Sequence, residues 1–172
     1  MILRAGIFPV VVASALCVVA GCSKTESRKS KMEFHKLSRE QEARLVKQRT
    51  LVLSAARSRS GTREFTRTTN DLPVLQRLID DRAFDKDQTF DLQALGVVFG
   101  DVLATELGLH WESVTDEYGT DPVLRLGTSQ VQVAALTMIS KRVEDGKQID
   151  LVDLVEGVRD TLKEIKESGD YK

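Results

Sequence analysis

The stretch Gly108–Pro122, GLHWESVTDEYGTDP, gathers His110, Trp111, Ser113 and the carboxylates Glu112, Asp116, Glu117 and Asp121, with Glu106 just before it and Arg125 just after. Paired carboxylates can do acid–base work when their surroundings separate their pKa values. Neighbours in a strand face opposite sides, so Asp116 and Glu117 cannot share a proton, while Asp116 and Asp121 read as solvated turn acids. A serine nucleophile needs a base, and His110 is the one imidazole within reach, but no G-x-S-x-G turn presents a serine. A zinc site would have to be built from His110, the distant His35 and carboxylates. No glycine-rich phosphate loop is present, because Gly96 and Gly100 fall in the middle of a helical pattern. The sequence therefore names no catalytic residue, no metal ligand and no cofactor.

Glu106 is the unusual acid. By helical angle it lies on an apolar face between Phe99 and Leu103, near a helix C-terminus where the dipole disfavours negative charge. A carboxylate there needs a cation or a wet opening. Arg125 is the expected partner, with His110 second. Two readings stay open: a polar clasp tying helix to hairpin, or a perturbed acid lining a ligand cleft. The candidate ligand or partner site is thus Glu106, His110, Trp111, Asp116 and Arg125.

These residues need elements to hold them. The capping-box pattern SREQ from Ser38 opens a helix to about Arg59, with Leu45, Val52, Leu53 and Ala56 on one side and Glu42 and Arg49 interrupting that stripe. Pro73 sits in the first turn of a short helix, 72 to about 81. A longer helix runs from Thr89 to Leu107 and stops at Gly108. Leu92, Leu95, Phe99, Val102, Leu103 and Leu107 form its core face, while Gly96, Gly100 and Ala104 make a smooth strip beside it that allows close packing. From Gly108 the pattern becomes a hairpin, with Leu109, Trp111 and Ser113 pointing one way and His110, Glu112 and Val114 the other. Pro122 suits the start of an edge strand, and SQVQV offers a third strand. Helices follow over 134–145, stopped by Gly146, and from an Asp150 cap onward. The expectation is an α+β fold: four to five helices on a two- or three-stranded antiparallel sheet.

The N-terminal segment MILRAGIFPVVVASALCVVAGCSK has one early charge and an apolar run shorter than the roughly 20 residues of a membrane-spanning helix, which is the pattern of an export signal. Its end, Val19-Ala20-Gly21-Cys22, resembles the lipobox of bacterial lipoproteins. That resemblance implies diacylation of the Cys22 thiol, cleavage before it and acylation of the new amino group. Cys17 would leave with the signal, so the mature chain would carry no thiol to pair or bind metal. Each buried methylene contributes about 0.8 kcal/mol, so several acyl chains would anchor the protein stably to a bilayer without crossing it. By resemblance to Gram-negative lipoproteins, Ser23 after the cysteine implies the periplasmic leaflet of the outer membrane.

Charge divides the rest. Residues 23–70 hold 13 Lys and Arg against 5 Glu, whereas 71–172 hold 11 basic against 21 acidic residues. An exported lipoprotein does not meet nucleic acid, so the basic stretch suits anionic headgroups beside the anchor, the acidic part of its own chain, or simple solubility. The chain then reads as signal 1–21, flexible basic tether 22–37, basic amphipathic helix and connector 38–70, and an acidic α+β domain 71–172.

Within that last part, LGVVFGD, GLHW, DEYGTDP and TMISKRVEDG resemble a family of bacterial domains of about ninety residues, an ordinary domain size, many of them exported and of unknown function. The resemblance runs from about Asp71 to Gly157 and matches Gly96, Gly100, Trp111, Asp116, Glu117, Tyr118 and Pro122. It implies no activity or cofactor. Missing nucleophile machinery favours a membrane-anchored, non-enzymatic interaction module that binds another envelope protein, in a sharper version neutralising a toxin in the periplasm. The competing reading is a small periplasmic hydrolase or sugar-binding protein using Glu106 and the hairpin carboxylates. If Cys22 carries lipid, Cys22→Ser should leave uncleaved precursor and abolish fatty-acid labelling. Normal processing of that variant, read by mass spectrometry, would remove the lipoprotein reading.

Overall fold

A computed structural model describes residues 32–169; the signal 1–21, Cys22 and tether residues 22–31 lie outside the described residues. The capping box forms as its residues dictate: Ser38 Oγ accepts from the Gln41 amide while Gln41 Oε1 accepts from the Ser38 amide. It opens α1 (Arg39–Ser60), which ends where Gly61 takes a left-handed φ of 71°. A 3-10 turn (Thr69–Asp71) leads into α2 (Leu72–Asp80), and α3 (Thr89–Leu107) stops at Gly108. The chain then forms β2 (Leu109–Asp116), β3 (Gly119–Leu126), β4 (Gln132–Val133), α4 (Ala135–Glu144) and α5 (Leu151–Ser168). Asp150 caps α5 by accepting from the amides of Val152 and Asp153.

The fold is α+β, with five helices and one antiparallel sheet among the described residues. The sheet has four strands hydrogen-bonded in chain order, not two or three. The extra strand is β1 (Glu33–His35), paired as Glu33↔Thr115, Phe34↔Val114 and His35↔Ser113. The flexible tether therefore does not reach residue 37. Three residues among lysines carry no readable alternation, and their partner strand lies far along the chain. β3 also begins earlier than Pro122, at Gly119.

One face of the sheet packs on α3 and α4; α1 lies against α3, α2 against α1, and α5 against α2. Val52 and Ala56 of α1 belong to the same buried cluster as Leu95, Phe99 and Leu103 of α3, and Leu45 is buried with Val97 and Leu136. The hydrophobic core thus does not begin at residue 71, and the basic helix is part of it. The small strip on α3 does the packing expected of it: a Cβ at Gly96 would sit 2.5 Å from the Leu136 carbonyl oxygen, and one at Gly100 would sit 2.5 Å from the Trp111 ring.

At the far edge, the Leu126 amide donates to Val131 O. Alternate residues Leu124, Pro122 and Thr120 turn their backbone groups the same way, and Pro122 has no N–H to offer there, which blunts that edge against strand addition. Gly96→Ala should lower stability by about 1–3 kcal/mol despite its better helix propensity, because the Cβ meets backbone. Gly157→Ala, mid-helix with nothing within 4 Å of the new Cβ, should raise it by about 0.5–1 kcal/mol. Chemical denaturation measures both.

Candidate functional site

Register assigns the hairpin side chains to two faces. His110↔Arg125, Trp111↔Leu124 and Glu112↔Val123 are direct cross-strand pairs, so Trp111 and Leu124 share the inner face, and His110, Glu112, Val123 and Arg125 share the outer one. The expected alternation holds. Its consequence is that the sequence-derived candidates separate into three places.

The inner place is a buried ion pair. Asp101 on α3, 6% exposed, accepts from Arg49 Nε at 2.6 Å and Nη2 at 2.7 Å, and also from the Trp111 indole N–H at 2.9 Å. A bidentate guanidinium plus an indole donor leaves this carboxylate well satisfied. Trp111 is therefore a half-buried packing residue pinned over Gly100. Ser113, also buried on this face, accepts from Gln41 Nε2 at 3.0 Å. It helps hold α1 and is not presented as a nucleophile.

The second place is the floor beneath α5. The Glu106–Arg125 pair does not form. Glu106 Oε1 accepts from the Thr69 amide at 3.1 Å, satisfying an orphan N–H of the 3-10 turn. Arg125 lies on the outer sheet face, where its Nη1 donates to Glu112 Oε2 at 2.8 Å. His110 also meets Glu112, at 3.1 Å, and not Glu106. The helix-to-hairpin clasp is thus made by Asp101, and Glu106 ties α3 to the chain entering α2.

The third place is the outer face, where His110 and Arg125 are joined through Glu112. Arg125 is held rigidly: Nε donates to Ser129 O and Nη2 to Thr128 O, and its guanidinium stacks 4.0 Å from the Phe34 ring centre. Burial pushes the Glu112 carboxyl up, but hydrogen bonds from Arg125 and His110, with their charges, outweigh it and hold the group below its ordinary value. Asp116 stands apart at the hairpin end, where its Oδ1 accepts from the Tyr118 amide at 2.8 Å as a turn acid. Asp121 lies directly opposite Val114. Tyr118 at the tip is 89% exposed. Among the described residues, no group of three or more His, Cys, Asp or Glu is placed to hold a metal, and no helix is long and apolar enough to cross a membrane.

Residues 71–154 match a family described as a domain of unknown function (DUF3806). The match covers α2 to β4 and α4 and stops four residues into α5, so β1, α1 and most of α5 lie outside it. No curated protein matches the chain. A crystal structure from Bacteroides thetaiotaomicron VPI-5482 is similar with a TM-score of 0.69 and 17% identity, over 81% of this chain and 51% of that one. That likeness concerns the fold, and this chain spans about half the length of its neighbour.

Sequence reading missed Asp101, Glu112 and Phe34 as site residues. Asp101 left a trace, since it interrupts the α3 apolar pattern as Arg49 interrupts that of α1. Glu112 contributes stability above the ordinary carboxyl pKa of 4.5 that is lost as pH falls through its lower folded value. Glu112→Gln should therefore be less stable than the parent near pH 7, with the gap closing in acid. Denaturation series at several pH values would show it, and a gap that widens in acid would contradict the assignment.

Proposed function

We propose that this protein is a membrane-anchored envelope lipoprotein that acts as a non-enzymatic protein-interaction module, with the hairpin tip and the exposed His110 of the outer sheet face as its contact points. The observation that carries the reading is the distribution of free and engaged groups. Glu106 and Asp116 are engaged by backbone amides and Asp101 and Glu112 by cations, whereas Tyr118 projects from the tip; His110, hydrogen-bonded to Glu112, is exposed beside the Phe34–Arg125 stack. Tyr is among the residue types enriched in binding hot spots, and Tyr118 stands exposed on a protruding element.

The resemblance of Val19–Cys22 to a lipobox supports the setting. Ten residues separate Cys22 from β1, and at about 3.3–3.6 Å per residue they keep the sheet edge within roughly 35 Å of the bilayer. The periplasmic leaflet of the outer membrane, and a periplasmic toxin as partner, are the finer form of this proposal.

A photo-crosslinking residue at position 118 of the full-length protein in living cells should trap one dominant envelope protein, identified by mass spectrometry. Tyr118→Ala and His110→Ala should reduce its capture from a second crosslinking position on β3, while changing stability by no more than about 0.5 kcal/mol, as for exposed side chains generally. No specific adduct, or unchanged capture by both variants, would sink the proposed surface.

A further inference from the structure

Helix α1 carries charge of one sign over most of its length. Residues 43–63 hold six Lys and Arg and no Asp or Glu. Of the six, Arg49 alone is ion-paired with a carboxylate among the described residues, the buried Asp101. Arg44 and Lys47 lie over the Phe90 ring at 5.6 and 5.4 Å, and Arg57 donates to Arg63 O. Those contacts steady the side chains and leave their charge unneutralised. On α5, by contrast, cations are answered along the same helix, Arg159 by Glu156 and Lys163 by Glu167.

The cations of α1 also face outward. With Leu45, Val52 and Ala56 marking the buried side, a step of about 100° per residue puts Arg39, Lys47 and Arg57, with Val46, Thr50 and Ser54, on the other side. All six are exposed, Val46 to 59%. Glu40 and Glu42 occupy the first turn, where the helix dipole favours them. The dipole likewise suits Arg57 and Arg59 in the last turn, but it opposes Arg39 in the first and has no bearing on Lys47 mid-helix. Solubility is served by charge of either sign and does not account for the sorting. The remainder of the chain has the opposite sign, with 11 basic against 21 acidic residues over 71–172. The molecule therefore carries a dipole with α1 on its positive side.

We propose that the outward face of α1 docks on the surface of an anionic phospholipid bilayer, laying the helix along the membrane that holds Cys22. The inference rests on the lipoprotein reading, which brings the bilayer within reach. Ten residues separate Cys22 from β1, and three separate β1 from α1. Within those ten, Lys24, Arg28, Lys29 and Lys31 against Glu26 continue the same sign. Each cation close to an anionic leaflet strengthens attachment by roughly fivefold, so Arg39, Lys47 and Arg57 together suffice to orient a chain that its anchor already holds at the surface. Val46 adds a shallow apolar contact, without the broad apolar stripe of an inserted amphipathic helix. The acidic part of the chain is repelled by the same surface and turns to the aqueous side.

The test uses the full-length protein floated with vesicles of phosphatidylcholine, alone or mixed with phosphatidylglycerol, and carrying the environment-sensitive amino acid dansylalanine at position 54. Emission should shift to the blue on the anionic vesicles only. It should return on adding salt, because the screening length shortens from about 8 Å at physiological ionic strength to about 3 Å at 1 M. Lys47→Glu with Arg57→Glu should lower the membrane-facing fraction by at least about tenfold, whereas Lys47→Arg with Arg57→Lys should leave it unchanged. Both positions are exposed, so the fold should survive, which thermal melting checks. Equal emission on the two kinds of vesicle, a shift indifferent to salt, or a charge-reversed variant that keeps the shift would overturn the proposal. So would a salt-sensitive photo-crosslink from position 54 to an acidic envelope protein in cells, with no shift on vesicles. Flotation with the neutral vesicles reports the anchor separately. A chain that does not float with them loses the lipoprotein reading, while its flotation and emission with anionic vesicles still decide the role of α1.

Discussion

The Asp101 carboxylate joins three elements that the chain places far apart. Arg49 reaches it from α1 and Trp111 from β2, while Asp101 itself stands in the middle of α3. Removing one member of such a buried pair strands the other, at a cost of about 3–5 kcal/mol when burial is complete, and less where, as here, the arginine keeps some contact with water. Replacing all the partners with apolar groups could be neutral by the same physics. The ion pair is therefore better understood as setting how α1, α3 and the sheet are placed than as a large source of stability. With the register of α1 against α3 so determined, Leu45, Val52 and Ala56 reach the core and Gln41 reaches Ser113.

From that constraint follows the separation of the two sheet faces. The indole is drawn inward over Gly100, where the missing side chain leaves room for it. Strand alternation then sends His110, Glu112 and Arg125 outward. Their network is satisfied by local carbonyls and by Phe34 from β1. A short strand contributed from ahead of α1 thus completes the outer surface of a hairpin more than seventy residues later. The part matched by the family, 71–154, contains the hairpin but neither β1 nor α1, and so lacks Phe34 and Arg49.

The acids illustrate why placement, and not residue type, decides chemistry. Glu106 read as a clasp to the hairpin or a perturbed cleft acid, and Asp116 as a turn acid. Each accepts a backbone amide at the edge of an element, the N-terminal end of the 3-10 turn in one case and the hairpin turn in the other. Such amides have no partner within their own element, and a nearby carboxylate is an inexpensive way to satisfy them.

Local patterns were legible in the sequence because their causes are local. Ser38 and Gln41 cap α1, Gly108 ends α3, Asp150 starts α5, and alternation from Leu109 makes a hairpin with Trp111 facing in, all through contacts within a few residues. The close packing of the Gly96–Gly100 strip was legible for the same reason, since a smooth surface can be read without knowing what lies on it. The interruptions at Arg49 and Asp101 were visible too, but their pairing was not, because more than fifty residues separate them and either could have faced water. The pairing of Arg125 with Glu112 in preference to Glu106 depended on strand register. β1 depended on a partner strand that no pattern in Glu33–His35 announces. Only the tertiary structure decided these, because long-range pairing is chosen by the geometry of the whole packed core and leaves no periodic mark on either partner.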